Sequence, residues 1–123
     1  MAADYMPIYD LIRDVPKGSV ASYGMIASLV AGVGPRQVAR AMRHTPDSVK
    51  LPWQRILQSS GMIADHSGAQ RQRSLLKKEG VQFRKNGAVD WAQCRWAGPS
   101  GAWIARTGAD PMDVMETVAG WGP

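Results

Sequence analysis

The stretch Leu51-Pro52-Trp53-Gln54-Arg55 has the flanks of a reactive-site loop and a centre that cannot react. Indole carries no useful nucleophile: Trp53 offers a flat apolar face and one N–H donor, and Gln54 beside it hydrogen-bonds but takes up no proton near neutral pH. Such a stretch can bind but cannot transfer. Cys94 is the only thiol in the chain. It lies in a basic segment between Trp91 and Trp96, and spacing sets beside it no proton-accepting partner that would activate its thiol. A lone cysteine also excludes an intramolecular disulfide and a cysteine zinc cluster. No metal and no cofactor is expected.

A second set of residues is suited to contact rather than reaction. Arg36, Arg40 and Arg43 recur at i, i+4 and i+7, with Val38, Ala41 and Met42 on the opposite side of the helical wheel. One face is therefore cationic and the other core. A solvated face on a basic protein would look the same, but positions 35–46 hold no acidic residue, which favours a helix that meets phosphates or bases.

Elements that could position these residues can be read on both sides of them. Ile8, Leu11, Ile12 and Val15 form the stripe of a short amphipathic helix that stops before Pro16. Pro16-Lys17-Gly18 is a turn, Ser19-Val20-Ala21 a short extended link, and Ser22 a cap for the next helix. That helix should turn Met25, Ile26, Leu29 and Val30 inward and stop at Gly32; Gly34-Pro35 then restarts helix, with proline at a first-turn position. The pair is a tightly spaced helix-turn-helix ending near His44-Thr45-Pro46.

Beyond a loop at 47–53, Gln54–Leu57 and Met62–Ala64 are expected to pair as strands about Ser59-Ser60-Gly61. Asp65-His66-Ser67-Gly68 is a loop, and Gln70–Glu79 a polar helix with Leu75 and Leu76 as its main apolar contacts. Val81 and Phe83, then Val89 and Trp91, alternate about Asn86-Gly87, a strong hairpin signal that resembles the wing of a winged helix. The fold class expected is mostly α with a small β-wing, a winged helix-turn-helix over residues 1–96. Residues 97–123 are a C-terminal extension without a motif, opened by the linker-like Ala97-Gly98-Pro99-Ser100-Gly101. A short helix is expected at 111–118, and Trp103, Met112, Met115 and Trp121 are candidates to pack back on the domain.

A chain of 123 residues, 45% hydrophobic and 20% charged, is of single-domain size and globular composition. The net charge of +5 and a pI near 9.8 fit a polyanionic partner. That charge is uneven: residues 1–96 carry 14 Lys/Arg against 7 Asp/Glu, whereas 97–123 carry Arg106 against Asp110, Asp113 and Glu116. The start Met1-Ala2-Ala3-Asp4-Tyr5 lacks a basic segment followed by an apolar run, and no 18-residue apolar stretch occurs. Neither secretion nor a membrane span is expected. An intracellular monomer is, associated with the nucleoid in a bacterial cell.

Three ordered segments carry a family resemblance: Val15-Pro16-Lys17-Gly18-Ser19-Val20-Ala21-Ser22-Tyr23-Gly24-Met25-Ile26-Ala27, Pro35-Arg36-Gln37-Val38-Ala39-Arg40-Ala41-Met42, and Leu51-Pro52-Trp53-Gln54-Arg55-Ile56-Leu57. Together they resemble the DNA-binding domain of O6-alkylguanine-DNA alkyltransferases. More closely, they resemble the alkyltransferase-like proteins, in which the acceptor cysteine of a Pro-Cys-His-Arg motif is replaced, usually by tryptophan. Leu75-Leu76-Lys77-Lys78-Glu79-Gly80-Val81 and Gly87-Ala88-Val89-Asp90 extend the similarity over roughly residues 5–96.

The resemblance implies a non-enzymatic sensor that binds double-stranded DNA from the minor-groove side, bends it, flips an O6-alkylguanine into a pocket and flags the lesion for nucleotide excision repair proteins. Flipping costs a few kcal/mol, least for a damaged base. Carried over residue by residue, Arg36 matches the finger that fills the gap in the base stack, and Tyr23 the tyrosine that presses on the 3′ phosphate of the target nucleotide. Ser22, Gln37, Ala39, Arg40 and Arg43 join them on the DNA-binding surface. Trp53 takes the acceptor position in a lesion pocket completed by Tyr23, Pro52, Gln54, His66 and Ser67, where its face can enclose an alkyl group. Arg55 braces the loop. Each role has a plainer counterpart: a phosphate contact for Arg36, a half-buried core tyrosine for Tyr23, a core tryptophan for Trp53, and a surface histidine without a role for His66.

Two departures from the family pattern bear on chemistry. Gln54 stands where histidine is usual, so even a cysteine at 53 would lack its proton acceptor. His66 stands where tyrosine is common, in a loop shorter than in relatives that supply an arginine there. Two other function classes use the same residues: a winged-helix transcription regulator reading undamaged sequence through Arg36, Arg40 and Arg43, and an active alkyltransferase using Cys94.

Overall fold

The computed structural model describes residues 4–121, so Met1-Ala2-Ala3 of the N-terminal reading and the last two positions of the 97–123 segment lie outside the described residues. Helix α1 (Met6–Arg13) opens with proline in its first turn, where the missing N–H has no helical partner to lose. Its stripe packs as expected: Ile8, Leu11, Ile12 and Val15 are all buried, each side chain contributing on the order of 1.5–3 kcal/mol of hydrophobic transfer. Tyr9, which spacing did not single out, is buried beside them and donates its hydroxyl to the carbonyl of Ala41 at 2.7 Å, tying α1 to the third helix.

Strand β1 (Ala21–Ser22) runs directly into α2 (Tyr23–Ala27). Ser22 makes that junction: its hydroxyl accepts the Met25 N–H at 3.0 Å, a cap worth about 1 kcal/mol. The second helix is shorter than its apolar spacing suggests. It stops at Ala27 and the chain continues in turns to Gly32, whose φ of 73° supplies the left-handed corner, while Leu29 and Val30 still pack on the core from those turns. Helix α3 (Pro35–Arg43) starts and ends where Gly34-Pro35 and His44 place it, burying Val38 and Ala41.

The only sheet among the described residues differs from the expected local hairpin. Strand β2 (Ile56–Leu57) pairs in parallel with β1, Ala21 opposite Ile56 and Ser22 opposite Leu57, not with Met62–Ala64. Between Gln58 and Met62 a single backbone bond remains, Gln58 N–H to Met62 C=O at 3.3 Å. Apolar side chains decide the outcome: both β2 residues are buried, and pairing with Ala21–Ser22 brings them against the two core clusters. On its other side Val20 bridges Arg95 in parallel.

Helix α4 (Ala69–Lys78) buries Gln72 and Leu76, with Leu75 only partly covered. The Asn86-Gly87 turn forms with Gly87 at φ 91°, but the wing reduces to one antiparallel bridge, Phe83 to Val89, because Trp91 begins the short helix α5 (Trp91–Cys94) instead of continuing a strand. Residues 97–121 fold back rather than trail. Helix α6 (Gly101–Thr107) places Trp103 in the α1–α3 core, and Asp14 accepts from both the backbone N–H and the hydroxyl of Ser100, the α6 cap. Helix α7 (Pro111–Ala119) adds Val114, and Trp121 stacks on Trp96 at 5.7 Å while donating to the Ser28 hydroxyl. Met112 and Met115, expected to pack inward, are exposed on α7. No helix of the described residues is long and apolar enough to cross a membrane.

Candidate nucleic-acid interface

The exposed side of α3 carries Arg36, Arg40 and Arg43, and none of them pairs with a carboxylate among the described residues. Gln37 is exposed beside them; its Oε1 accepts the Gly34 N–H at 3.0 Å, closing the helix start where glycine has no side chain to do so. The result is a cationic helix face with its donors turned to solvent.

Along this helix opens a pocket of about 430 Å³, within the range of sites that enclose small ligands. Ala39, Met42 and Arg43 form its α3 wall, Tyr23 from the start of α2 a second, and Trp53 with Ile56 the floor side. Ala64, Asp65 and His66 of the following loop and Gln72 of α4 complete the lining. Trp53 and His66 meet edge to face, ring centroids 6.4 Å apart and planes at 74°. Burial holds the Tyr23 phenol above its ordinary value, with the Arg43 charge pulling the other way; Tyr23 is thus a neutral hydroxyl at physiological pH.

Trp53 sits on a 3₁₀ turn, Trp53–Arg55, that is tied down from behind. Arg55 clamps Glu79 with two bonds, Nε to Oε1 at 2.9 Å and Nη2 to Oε2 at 3.0 Å, and its Nη1 donates to the Val15 carbonyl at 2.9 Å. Gln54 donates to the same carboxylate at 2.8 Å. Burial opposes ionisation of Glu79, but the bonds from Arg55 and Gln54, the Arg55 charge and the Gly18 N–H together hold its carboxyl below the ordinary value. Glu79 therefore fastens the turn to the end of α4, and Arg55 ties it to the chain just beyond α1.

Of the expected pocket residues, Tyr23, Trp53 and His66 come together. Three do not line it: Gln54 is turned to Glu79, Pro52 is the residue that caps the start of the turn, and Ser67 is exposed in the loop. Ser22, expected on the DNA-binding surface, is buried with its hydroxyl spent on the α2 cap, which corrects its placement. Ala39 and Arg43, expected only on the DNA-facing helix, also wall the pocket. Sequence reading missed Gln72 and Glu79. Gln72 had a usable signal: it lies four residues before Leu76, on the face of α4 that must be buried.

Cys94 is remote from this arrangement. Its thiol is buried among Val20, Leu57, Leu76, Val81 and Val89, donates to the Asp90 carbonyl at 3.1 Å, and is pushed up to about 11 by burial and then by the Asp90 charge. Among the described residues no group of three His, Cys, Asp or Glu is placed to hold a metal ion.

Residues 5–81 match the family described as 6-O-methylguanine DNA methyltransferase, DNA binding domain. The chain is 38% identical over 83 residues to alkyltransferase-like protein 1 of Schizosaccharomyces pombe, spanning 64% of this chain and 77% of that protein. It is 33% identical over 91 residues to a DNA base-flipping protein of Vibrio parahaemolyticus, spanning 72% of this chain and 91% of the relative. Its fold superposes on S. pombe Atl1 in complex with damaged DNA containing O6-carboxymethylguanine, with a TM-score of 0.66, 34% identity, and coverage of 78% of this chain and 98% of the other.

Proposed function

Because the chain belongs to the alkyltransferase-like proteins, built on the DNA-binding domain of 6-O-methylguanine DNA methyltransferase, we propose that it is a non-enzymatic sensor of O6-alkylguanine in duplex DNA. The observation that carries this reading is a pocket of nucleobase scale, floored by Trp53, opening along the unpaired arginine face of α3.

In this reading α3 enters the minor groove and the duplex bends over it. Arg40 and Arg43 meet phosphates, Gln37 approaches with them, and the small side chain of Ala39 lets the backbone come close. Arg36 enters the base stack in place of the flipped nucleotide, its planar guanidinium both stacking and donating hydrogen bonds. Tyr23, a neutral hydroxyl between α3 and the pocket, presses on the 3′ phosphate of the turned-out residue. Trp53 then stacks on the alkylated base, worth on the order of 1–3 kcal/mol, which offsets a comparable cost of flipping. An indole accepts no alkyl group and Gln54 takes no proton, so the bound lesion stays chemically unchanged. A long-lived, bent complex is what nucleotide excision repair proteins would meet, with the sensor acting as a monomer.

Fluorescence anisotropy on matched duplexes carrying guanine or O6-methylguanine at one position, at fixed salt, tests the reading. A preference of tenfold or more for the lesion, about 1.4 kcal/mol, is the expected result. Equal and salt-sensitive affinity for both duplexes would reduce the protein to a basic winged helix acting through its phosphate contacts.

A further inference from the structure

His66 faces the Trp53 ring across the pocket rim, and its hydrogen bonds fix what it can offer a ligand. The fixing begins at Gln72, a glutamine 4% exposed on α4. Its Nε2 lies 3.1 Å from the Gln54 carbonyl and 3.0 Å from the Ile56 carbonyl. Carbonyls only accept, so this end of the amide must be the NH₂ and the other end the oxygen; the flipped amide would set oxygen against two oxygens. The Gln72 Oε1 thus set lies 3.0 Å from His66 Nε2, and an amide oxygen only accepts, so His66 Nε2 carries the proton. On the far side of the ring the Gly68 N–H donates to Nδ1 at 3.0 Å, which requires Nδ1 to be bare. Both nitrogens are spent, and both demands select the same neutral tautomer.

Gly68 completes the arrangement by what it lacks. A Cβ at this position would lie 3.0 Å from Cε1 and 3.2 Å from Nδ1 of His66 and 3.7 Å from the Trp53 ring, so a larger residue would press the histidine ring away by a few tenths of an ångström.

We propose that Gln72 is a positioning residue that holds His66 as the Nε2–H tautomer with no free ring donor, making His66 an apolar wall of the pocket rather than a hydrogen-bond donor to the O6 edge of a base. Together with Trp53 it forms a corner that recognises the alkyl group by contact. The specificity arising at this rim is then for an apolar substituent, and an unmodified guanine gains nothing from the histidine. This part of the proposal rests on the reading of the pocket as a lesion site; the tautomer lock does not.

Two measurements separate the parts. Long-range 15N–1H correlation spectra of the DNA-free protein report the histidine tautomers directly, and since the chain has 2 histidines, a His44→Gln variant assigns the rings. A single Nε2–H form for His66, replaced by a mixture in Gln72→Met, is expected; a Nδ1–H form or an averaged ring in the parent protein overturns the lock. His66→Phe keeps a wall and removes every ring donor. Its preference for O6-methylguanine over guanine should stay within about twofold of the parent, whereas a loss of about tenfold, the scale of one hydrogen bond, would show that the histidine donates to the lesion. Absence of any lesion preference in the parent protein would instead sink the proposed function and the rim's part in it, with the ring spectra still deciding the lock.

Discussion

Trp53 lies half-exposed on a short turn against an open pocket, whereas Cys94, the chain's only thiol, is closed off at the end of α5. Around Trp53 the fold gathers what recognition needs: a flat ring, a neutral phenol, a cationic helix face and a cavity. Around Cys94 it gathers aliphatic side chains and one carboxylate, both of which hold the thiol in its protonated, unreactive form. An acceptor thiol and a base-sized pocket would have to coincide for alkyl transfer, and here they are kept apart. Glu79 sharpens the contrast: its carboxylate stands outside the pocket lining, with its oxygens taken up by Arg55 and Gln54. It holds the turn still.

The largest effect should therefore come from releasing that turn. Glu79→Ala leaves Arg55 without its partner and should cost roughly 3 kcal/mol of folding stability, the scale of breaking a largely buried ion pair, measured by urea denaturation. The same bond sets an acid limit. Because the Glu79 pKa is lowered in the folded state, its stabilisation is fully present above the ordinary value of 4.5 and is lost as pH falls through the lower, folded value. Midpoints collected from pH 7 to pH 3 should drop in the parent and drop less in Glu79→Gln.

Next in size, Arg36→Ala should weaken binding to the O6-methylguanine duplex by about 1–3 kcal/mol, the range for losing one stacked group, with an unchanged melting temperature because the position is exposed. Unaltered affinity would remove the finger from the account. Putting a thiol into the pocket tests the contrast from the other side: Trp53→Cys should gain no methyl group in intact-mass spectra after incubation with O6-methylguanine DNA, since Gln54 cannot draw off its proton. The smallest change belongs to Cys94→Ala, whose lesion affinity should equal that of the parent; a parent mass gain that vanishes in this variant would make the protein an enzyme.

These regions were unequally legible in the sequence. Local signals survived folding: the Ile8, Leu11, Ile12, Val15 stripe, the Ser22 cap, Pro35 at the start of α3 and the left-handed Gly87 all stand where spacing put them. Long-range pairing did not announce itself. Ala21–Ser22 and Ile56–Leu57 are two-residue strands far apart in the chain, too short for an alternation to show, while the nearer Met62–Ala64 offered a more obvious partner. In the site, the family resemblance pointed to Tyr23, Arg36 and Trp53, and the fold places Tyr23 and Trp53 in one pocket with Arg36 exposed on α3. Gln54 and Gln72 did not, because a glutamine gives no hint in sequence of which carbonyls or carboxylates its amide will find. The C-terminal segment was legible in part: the helix expected at 111–118 forms as α7, and Trp103 and Trp121 pack on the domain, but the core and the Ser28 hydroxyl that receive them lie far back in the chain, where spacing gives no sign of them.

The central claim is that Trp53 receives the flipped base, and tryptophan emission tests it most directly. The chain has 5 tryptophans, so the parent must be compared with Trp53→Phe, which keeps a ring but silences that emission. Titrated with the O6-methylguanine duplex at fixed salt, the parent should lose intensity beyond what the guanine duplex causes, and Trp53→Phe should show no such lesion-dependent part while still binding. The same lesion-dependent quenching in both proteins would place the damaged base somewhere other than against Trp53.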